Sequence, residues 1–204
     1  MDDIERFITG FRVFQKDYFG PHSDHFEPLK HGQSPKTMII GCSDSRVDPA
    51  LLTNSAPGDI FMVRNVANLV PPYAPDGAHH ATSAALEFGV RVLRVAHLMV
   101  MGHGMCGGIT ALIHGAPDQA TDFLMPWINI AAKARDRVLA CDDGTDPQLA
   151  LEQEAVSLSL ENLRGYPWIA ERLNDGSMEL HGAHFDVRHG ILNLLDADGA
   201  FRPA

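Results

Sequence analysis

Two short stretches of this 204-residue chain carry residue types that could hold a metal ion and move a proton. The first, GCSDSRVDP at 41–49, places a cysteine, Cys42, ahead of an acid, Asp44, and an arginine, Arg46, at alternating positions. The second, GHGMCGG at 102–108, holds His103 and Cys106 at His-x-x-Cys spacing. Two thiolates and one imidazole make a Cys2His set, which suits zinc and leaves a fourth tetrahedral position open. A helix starting in GGITALI would turn its positive end toward Cys106 and favour the thiolate. Arg46 can clamp the Asp44 carboxylate with a fork of donors. Taken singly, each motif has a plainer explanation. His-x-x-Cys fits a buried thiol beside a hydrogen-bonded imidazole, and Asp-x-Arg fits a surface pair worth at most about 1 kcal/mol. Together, two strand-end cysteines with an acid and an arginine beside one of them favour a site.

The glycines of the second stretch, Gly102, Gly104 and Gly107, also spell G-x-G-x-x-G, the phosphate turn of a dinucleotide-binding fold. Such a fold needs a second strand that ends in an acid about 20 residues on. Asp118 and Asp122 fall near that distance, but HGAPDQATDFLMPW holds no apolar strand before them. The glycines then serve a tight turn and a close backbone approach.

Candidate residues need elements to position them. KTMIIG, DIFMVRNVANL and VAHLMVMG are short apolar runs and predict three buried strands, two of them ending at Cys42 and His103. AHHATSAALEFGVRVLR predicts a helix with Ala84, Ala85, Phe88 and Leu93 inward, and GGITALIHGA a short one. Further helices are expected over about 121–140 and 147–173, the second stopping at LNDG. MELHGAHFDVRHGILNLLD predicts a hairpin around Arg188, His189 and Gly190. Strands alternating with helices predict an α/β fold, a mostly parallel β-sheet flanked by helices with an antiparallel edge strand near the C-terminus. Ligands collect at the carboxyl ends of strands in such sheets, where Cys42 and His103 fall. Residues 2–19 place Ile4, Phe7, Ile8, Phe11, Phe14 and Tyr18 at helical spacing.

The length suits one domain, 1–204, and the 45% apolar content a sizeable core. A formal charge of −10 argues against nucleic acid or an anionic membrane as partner. No apolar run approaches a bilayer span and MDDIERFITG is acidic, so a cytoplasmic location is expected. Three cysteines, Cys42, Cys106 and Cys141, make a poor disulfide framework.

CSDSR followed some 60 residues later by GHxxCGG resembles the β-class carbonic anhydrases. The resemblance is strong over about 30–113, and NVANLVPPY with the CGGI ending is most similar to the plant-type branch. It implies reversible hydration of carbon dioxide to bicarbonate, with one Zn2+ per chain on Cys42, His103 and Cys106, and Asp44 and Arg46 as the catalytic pair. It implies substrate contacts from Gln33, Phe61, Val66, Phe88 and Gly107, several of them reaching the neighbouring subunit's zinc. The partners so implied are a small substrate, carbon dioxide or bicarbonate, and a second copy in a dimer or higher even oligomer, with residues 1–30 as a helical arm lying on it. Alternatives are a CS2 or COS hydrolase on the same zinc, and a zinc-binding regulatory module without turnover. Cys141 matches no ligand of the family. His79 and His80 read as loop histidines, with proton shuttling as the alternative. His22, His25, His31 and His114 read as surface residues, and Asp48 as a cap or turn residue. One branch of the family binds bicarbonate at a second, inhibitory site through a Trp, an Arg and a Tyr. The corresponding residues here are Ile39, Arg64 and Phe185, so that trio is incomplete.

Overall fold

The computed structural model describes residues 2–21, 24–141 and 144–204. The surface position expected for His22 lies outside the described residues. The chain divides into two compact units, residues 1–34 and 35–204.

The N-terminal unit is built on α1 (Asp3–Phe19), started by a capping box in which Asp2 accepts from the Ile4 N–H and Glu5 accepts from the Asp2 N–H. A short α2 (Phe26–Leu29) follows, and Phe26 stacks on Phe19 at 4.5 Å and meets Phe14 edge-on at 5.9 Å. Toward its N-terminus the α1 stripe stays open: Ile4, Phe7 and Phe11 are each about 60% exposed (62%, 61% and 59%).

The second unit is a six-stranded sheet. Its strands are β1 (Thr37–Cys42), β2 (Ile60–Asn65), β3 (His97–His103), β4 (Glu179–Asp186), β5 (Ile191–Leu195) and β6 (Phe201–Pro203), in spatial order β2-β1-β3-β4-β5-β6. The first four run parallel, and β5 and β6 add antiparallel. The expected hairpin is β4–β5, with Gly190 supplying the positive φ of its turn (φ 69°). β6 adds a strand that the sequence patterning had not suggested. Helices are α3 (Pro49–Leu52), α4 (Ala81–Glu87), α5 (Gly107–His114), α6 (Leu124–Ile128), α7 (Ala132–Ala140), α8 (Pro147–Arg164) and α9 (Pro167–Asn174).

Alternation along the strands sorts the core. Met38, Ile40, Leu98 and Val100 point to one face and pack with Leu86, Val90, Val156, Leu160, Leu163 and Ile169. Ile39, Met101 and Ala183 point to the other, under a thinner cover that includes Leu52, Ile60 and Leu192. A separate cluster at the carboxyl ends joins Cys42 and Cys106 to Leu69, Ile109, Leu112, Ile128 and Leu151.

Three helical expectations need correcting. The stretch after PPYAPDG leaves the α-helical period at Phe88: residues Phe88–Val92 form a π turn, closed by the Leu93 N–H to the Phe88 carbonyl. The phase shift turns Gly89 and Val90 to the core and leaves Phe88 44% exposed, with Ala84 exposed as well. Helix 147–173 is two helices, parted at Gly165-Tyr166 before Pro167, which fills the first position of α9. Helix 121–140 is likewise α6 and α7, joined through a single 3-10 turn, Asn129–Ala131.

Candidate metal centre

The chain order reverses between β1 and β3: β1 connects outward to β2, and β2 crosses back to β3 on β1's other side. Loops diverge at such a switch point and leave a crevice at the carboxyl ends of the two strands. Cys42 is the last residue of β1 and His103 the last of β3. Cys106 caps the start of α5, its sulfur facing the backbone N–H groups of Gly108 and Ile109. The turn between His103 and Cys106 holds Met105 at φ 60°, a left-handed conformation that costs a side-chain-bearing residue energy and recurs at functional sites.

The glycines around this turn have distinct tasks. A Cβ on Gly102 would stand 2.7 Å from Val156 Cγ2, so Gly102 lets α8 rest on β3. A Cβ on Gly108 would stand 2.7 Å from Val66 Cγ1. Gly107 has no neighbour within 4 Å of that position and faces open space.

Cys42, His103 and Cys106 are buried, and their donor atoms lie within 4.8 Å of one another. The two sulfurs are 3.9 Å apart, against about 3.8 Å for sulfurs each about 2.3 Å from one tetrahedral zinc ion. His103 Nδ1–H donates to the Gly104 carbonyl at 2.9 Å, which leaves the Nε2 lone pair free to bind. That Nε2 is buried without a hydrogen-bond partner. The thiol of Cys42 is lowered to about 4, first by the hydrogen bond from Cys106, with burial opposing and His103 assisting. The same shared hydrogen bond pushes Cys106 up, together with burial and the charge on Cys42. Burial disfavours a charged His103, but the Cys42 thiolate outweighs it and the imidazole is raised overall. Two buried thiolates are therefore mutually unfavourable until a cation joins them. The donor set fits zinc.

Beside these donors, Arg46 grips Asp44 in a fork, Nε to Oδ1 at 2.9 Å and Nη2 to Oδ2 at 2.7 Å. The Arg46 backbone N–H adds a third bond to Oδ1 at 2.9 Å. These bonds hold the Asp44 carboxyl well below the usual range, with the Arg46 side chain the main cause. Arg46 Nη2 also donates to the Met105 carbonyl, tying the two motifs together. Arg64 braces the loop beneath, donating to the carbonyls of Cys42 (2.9 Å) and Asp44 (2.7 Å) and to Asp48 Oδ2 (3.0 Å). Asp48 in turn caps α3 through the Ala50 N–H.

Sequence reasoning missed Glu152, on the buried face of α8. It accepts from the Cys106 N–H at 3.0 Å, accepts from Gln148 Nε2, and lies 3.3 Å from His184 Nε2 in an almost fully buried pair. The one available signal was an acid at a helical position flanked by apolar Leu151, Ala155 and Val156.

The remaining candidates scatter within one chain. Val66 and the exposed His79 and His80 line a groove of about 760 Å³ with Phe123, Trp127 and Ile130, and none of the three metal-site donors lines it. His80 Nε2 meets Asp76 Oδ1 at 2.7 Å. Phe61 and Phe88 pair with each other, centroids 5.7 Å apart. Gln33 is exposed and belongs to the N-terminal unit. His25, His31 and His114 are exposed, and Cys141 is exposed at the end of α7.

The family model for carbonic anhydrase matches residues 37–192, which takes in both motifs. Beta carbonic anhydrase 3 of Arabidopsis thaliana is 37% identical over all of this chain, which covers 81% of that relative. Beta carbonic anhydrase 5, chloroplastic, of the same plant is 39% identical over 86% of this chain, which spans 59% of it. Among solved structures, the β-carbonic anhydrase CcaA superposes with a TM-score of 0.92 at 32% identity, all of both chains being covered. One of two enzymes from Sordaria macrospora, described as tetrameric β-carbonic anhydrases, gives 0.75 at 28% identity, over 98% of this chain and 95% of the other. The chain belongs to the β-class carbonic anhydrase family, lyases that reversibly hydrate carbon dioxide to bicarbonate and a proton.

Proposed function

We propose that Cys42, His103 and Cys106 hold one zinc ion per chain and that Asp44, positioned by Arg46, orients the attacking oxygen in carbon dioxide hydration. The observation that carries this is convergence. Three buried donors within 4.8 Å of one another, the two sulfurs at the spacing of a tetrahedral zinc site, stand beside a carboxylate whose charge is fixed by a bidentate arginine. Zinc, when bound, supplies a Lewis acid that makes water a better nucleophile near neutral pH. Asp44 remains ionised and keeps lone pairs beyond those Arg46 uses, so it can accept a hydrogen bond and orient an oxygen toward carbon. Arg46 cannot lose its own proton, so it holds the carboxylate's position through the cycle.

Substrate contacts are assigned in the same proposal to Gln33, Phe61, Val66, Phe88 and Gly107. Carbon dioxide has no net dipole and suits apolar walls, while an amide such as Gln33 suits the oxygens of bicarbonate. Exposure of Phe88 and Gln33 in the single chain supports their acting at a neighbouring subunit's zinc. A dimer or higher even oligomer is the expected assembly, and the tetramers of Sordaria macrospora support it. The open stripe of α1 supports the N-terminal helix as an arm lying on that neighbour.

Purified protein is expected to carry about one zinc per chain, and Cys106→Ser to lose most of it. Metal quantified by mass spectrometry checks both; full zinc occupancy in the variant would end the ligand assignment.

A further inference from the structure

At the other end of β3 a second set of metal-binding side chains comes together. His97 is the first residue of β3 and Glu179 the first of β4, and the parallel register pairs them directly. His181, two residues on from Glu179, points to the same face of the sheet. His97 Nδ1 lies 3.2 Å from His181 Nε2, and Glu179 Oε2 lies 3.6 Å from the first nitrogen and 3.7 Å from the second.

Hydrogen bonding accounts for only part of this arrangement. One proton can bridge the two rings at 3.2 Å, but 3.6 and 3.7 Å are too long for either ring to donate to the carboxylate. The three separations do share a simple property: a single point lies about 2.0 Å from all three atoms, the bond length of a first-row metal ion to imidazole nitrogen and carboxylate oxygen. All three side chains keep a solvent-facing side, so water can complete the coordination.

We propose that His97, Glu179 and His181 form a second metal site, for a divalent first-row transition ion such as Zn2+. Two imidazoles with one carboxylate select such ions over Mg2+ and Ca2+, which prefer all-oxygen surroundings. Six residue steps of β3 separate His97 from His103, about 20 Å at the rise of a parallel strand, so the two sites act independently. A bound ion would cross-link the amino ends of β3 and β4, and its effect is on strand pairing rather than on the reaction.

Calorimetric titration of the zinc-loaded enzyme with Zn2+ tests the proposal, alongside His97→Ala and His181→Ala. Wild type is expected to take up one further equivalent per chain. Each variant should bind it at least about 10-fold more weakly, since loss of even a supporting residue commonly costs about 10–100-fold. Added Zn2+ should also raise the melting temperature of wild type more than that of the variants, with Mg2+ inert for all three. Carbon dioxide hydration should be unchanged in the variants, which also reports that they are folded. His97 is half-buried at a strand end, with 45% of its side chain exposed, so His97→Ala decides the matter if His181→Ala fails to fold. Absence of a further equivalent in wild type, or undiminished uptake in His97→Ala, would overturn the assignment.

Discussion

Charge count at the cysteine centre governs how its chemistry responds to pH. Zinc held by three neutral imidazoles keeps its full +2 and gives bound water a pKa of about 7. Cys42 and Cys106 as thiolates cancel that charge, so the ionisation that limits hydration should come later. Asp44 cannot be the titrating group, because Arg46 holds it well below the usual carboxylate range and it is already ionised throughout any practical assay. Accordingly kcat/KM for hydration is expected to rise with pH through an apparent pKa above about 7. A pH–rate profile measures this, and a plateau already reached at pH 7 would contradict the charge argument. Residue identity and spacing were enough to nominate Cys42, Asp44, Arg46, His103 and Cys106. They were silent on Glu152 and on the bracing of the Cys42–Asp44 loop by Arg64, roles that arise from distant partners brought together only by folding.

Elements explain why these five residues meet. Apolar runs closed by glycine or by a polar cluster marked β1 and β3 in the sequence, and the strand ends put Cys42 and His103 at adjacent positions of one crevice. Helix phase was harder to read. The pattern around Phe88 fits an α-helix locally, but Gly89 lies against Met38 and Phe61, where a Cβ would stand 2.7 Å from the Met38 sulfur. That close approach is a tertiary demand, and the π turn that meets it has no periodic signature of its own. The break at Gly165-Tyr166-Pro167 did carry a local signal, since proline fits only the first turn of a helix. Gly102 was read as serving a tight turn and a close approach, and the approach it permits is that of α8 to β3. Gly102→Ala forces a methyl group toward Val156 in a buried contact, and overpacking of this kind costs about 1–3 kcal/mol. At this size that is a fall of several degrees in Tm, which scanning calorimetry would detect. An unchanged Tm would show that α8 has room to move.

On the scale of the whole molecule, the sheet and its helices were legible from alternating periodicity, and the family from two motifs about 60 residues apart. What a single sequence does not reveal is which apolar surface is core. The α1 stripe fits a buried helix by spacing, yet Ile4, Phe7 and Phe11 are largely exposed in one chain. Self-association is the expected remedy. Sedimentation is predicted to show a dimer or higher even oligomer, and removal of residues 1–30 to shift it toward smaller species. A monomeric full-length chain would contradict this.

The central claim is that Asp44, clamped by Arg46 beside zinc on Cys42, His103 and Cys106, orients the attacking oxygen in carbon dioxide hydration. Asp44→Asn keeps the shape of the side chain but removes the negative charge that accepts the hydrogen bond and orients the attacking oxygen. Stopped-flow hydration on zinc-quantified wild type and Asp44→Asn tests the claim most directly. The expected result is full zinc in both proteins, turnover in wild type, and a loss of at least about 100-fold in the variant. Turnover near the wild-type rate in zinc-loaded Asp44→Asn would remove Asp44 from the mechanism.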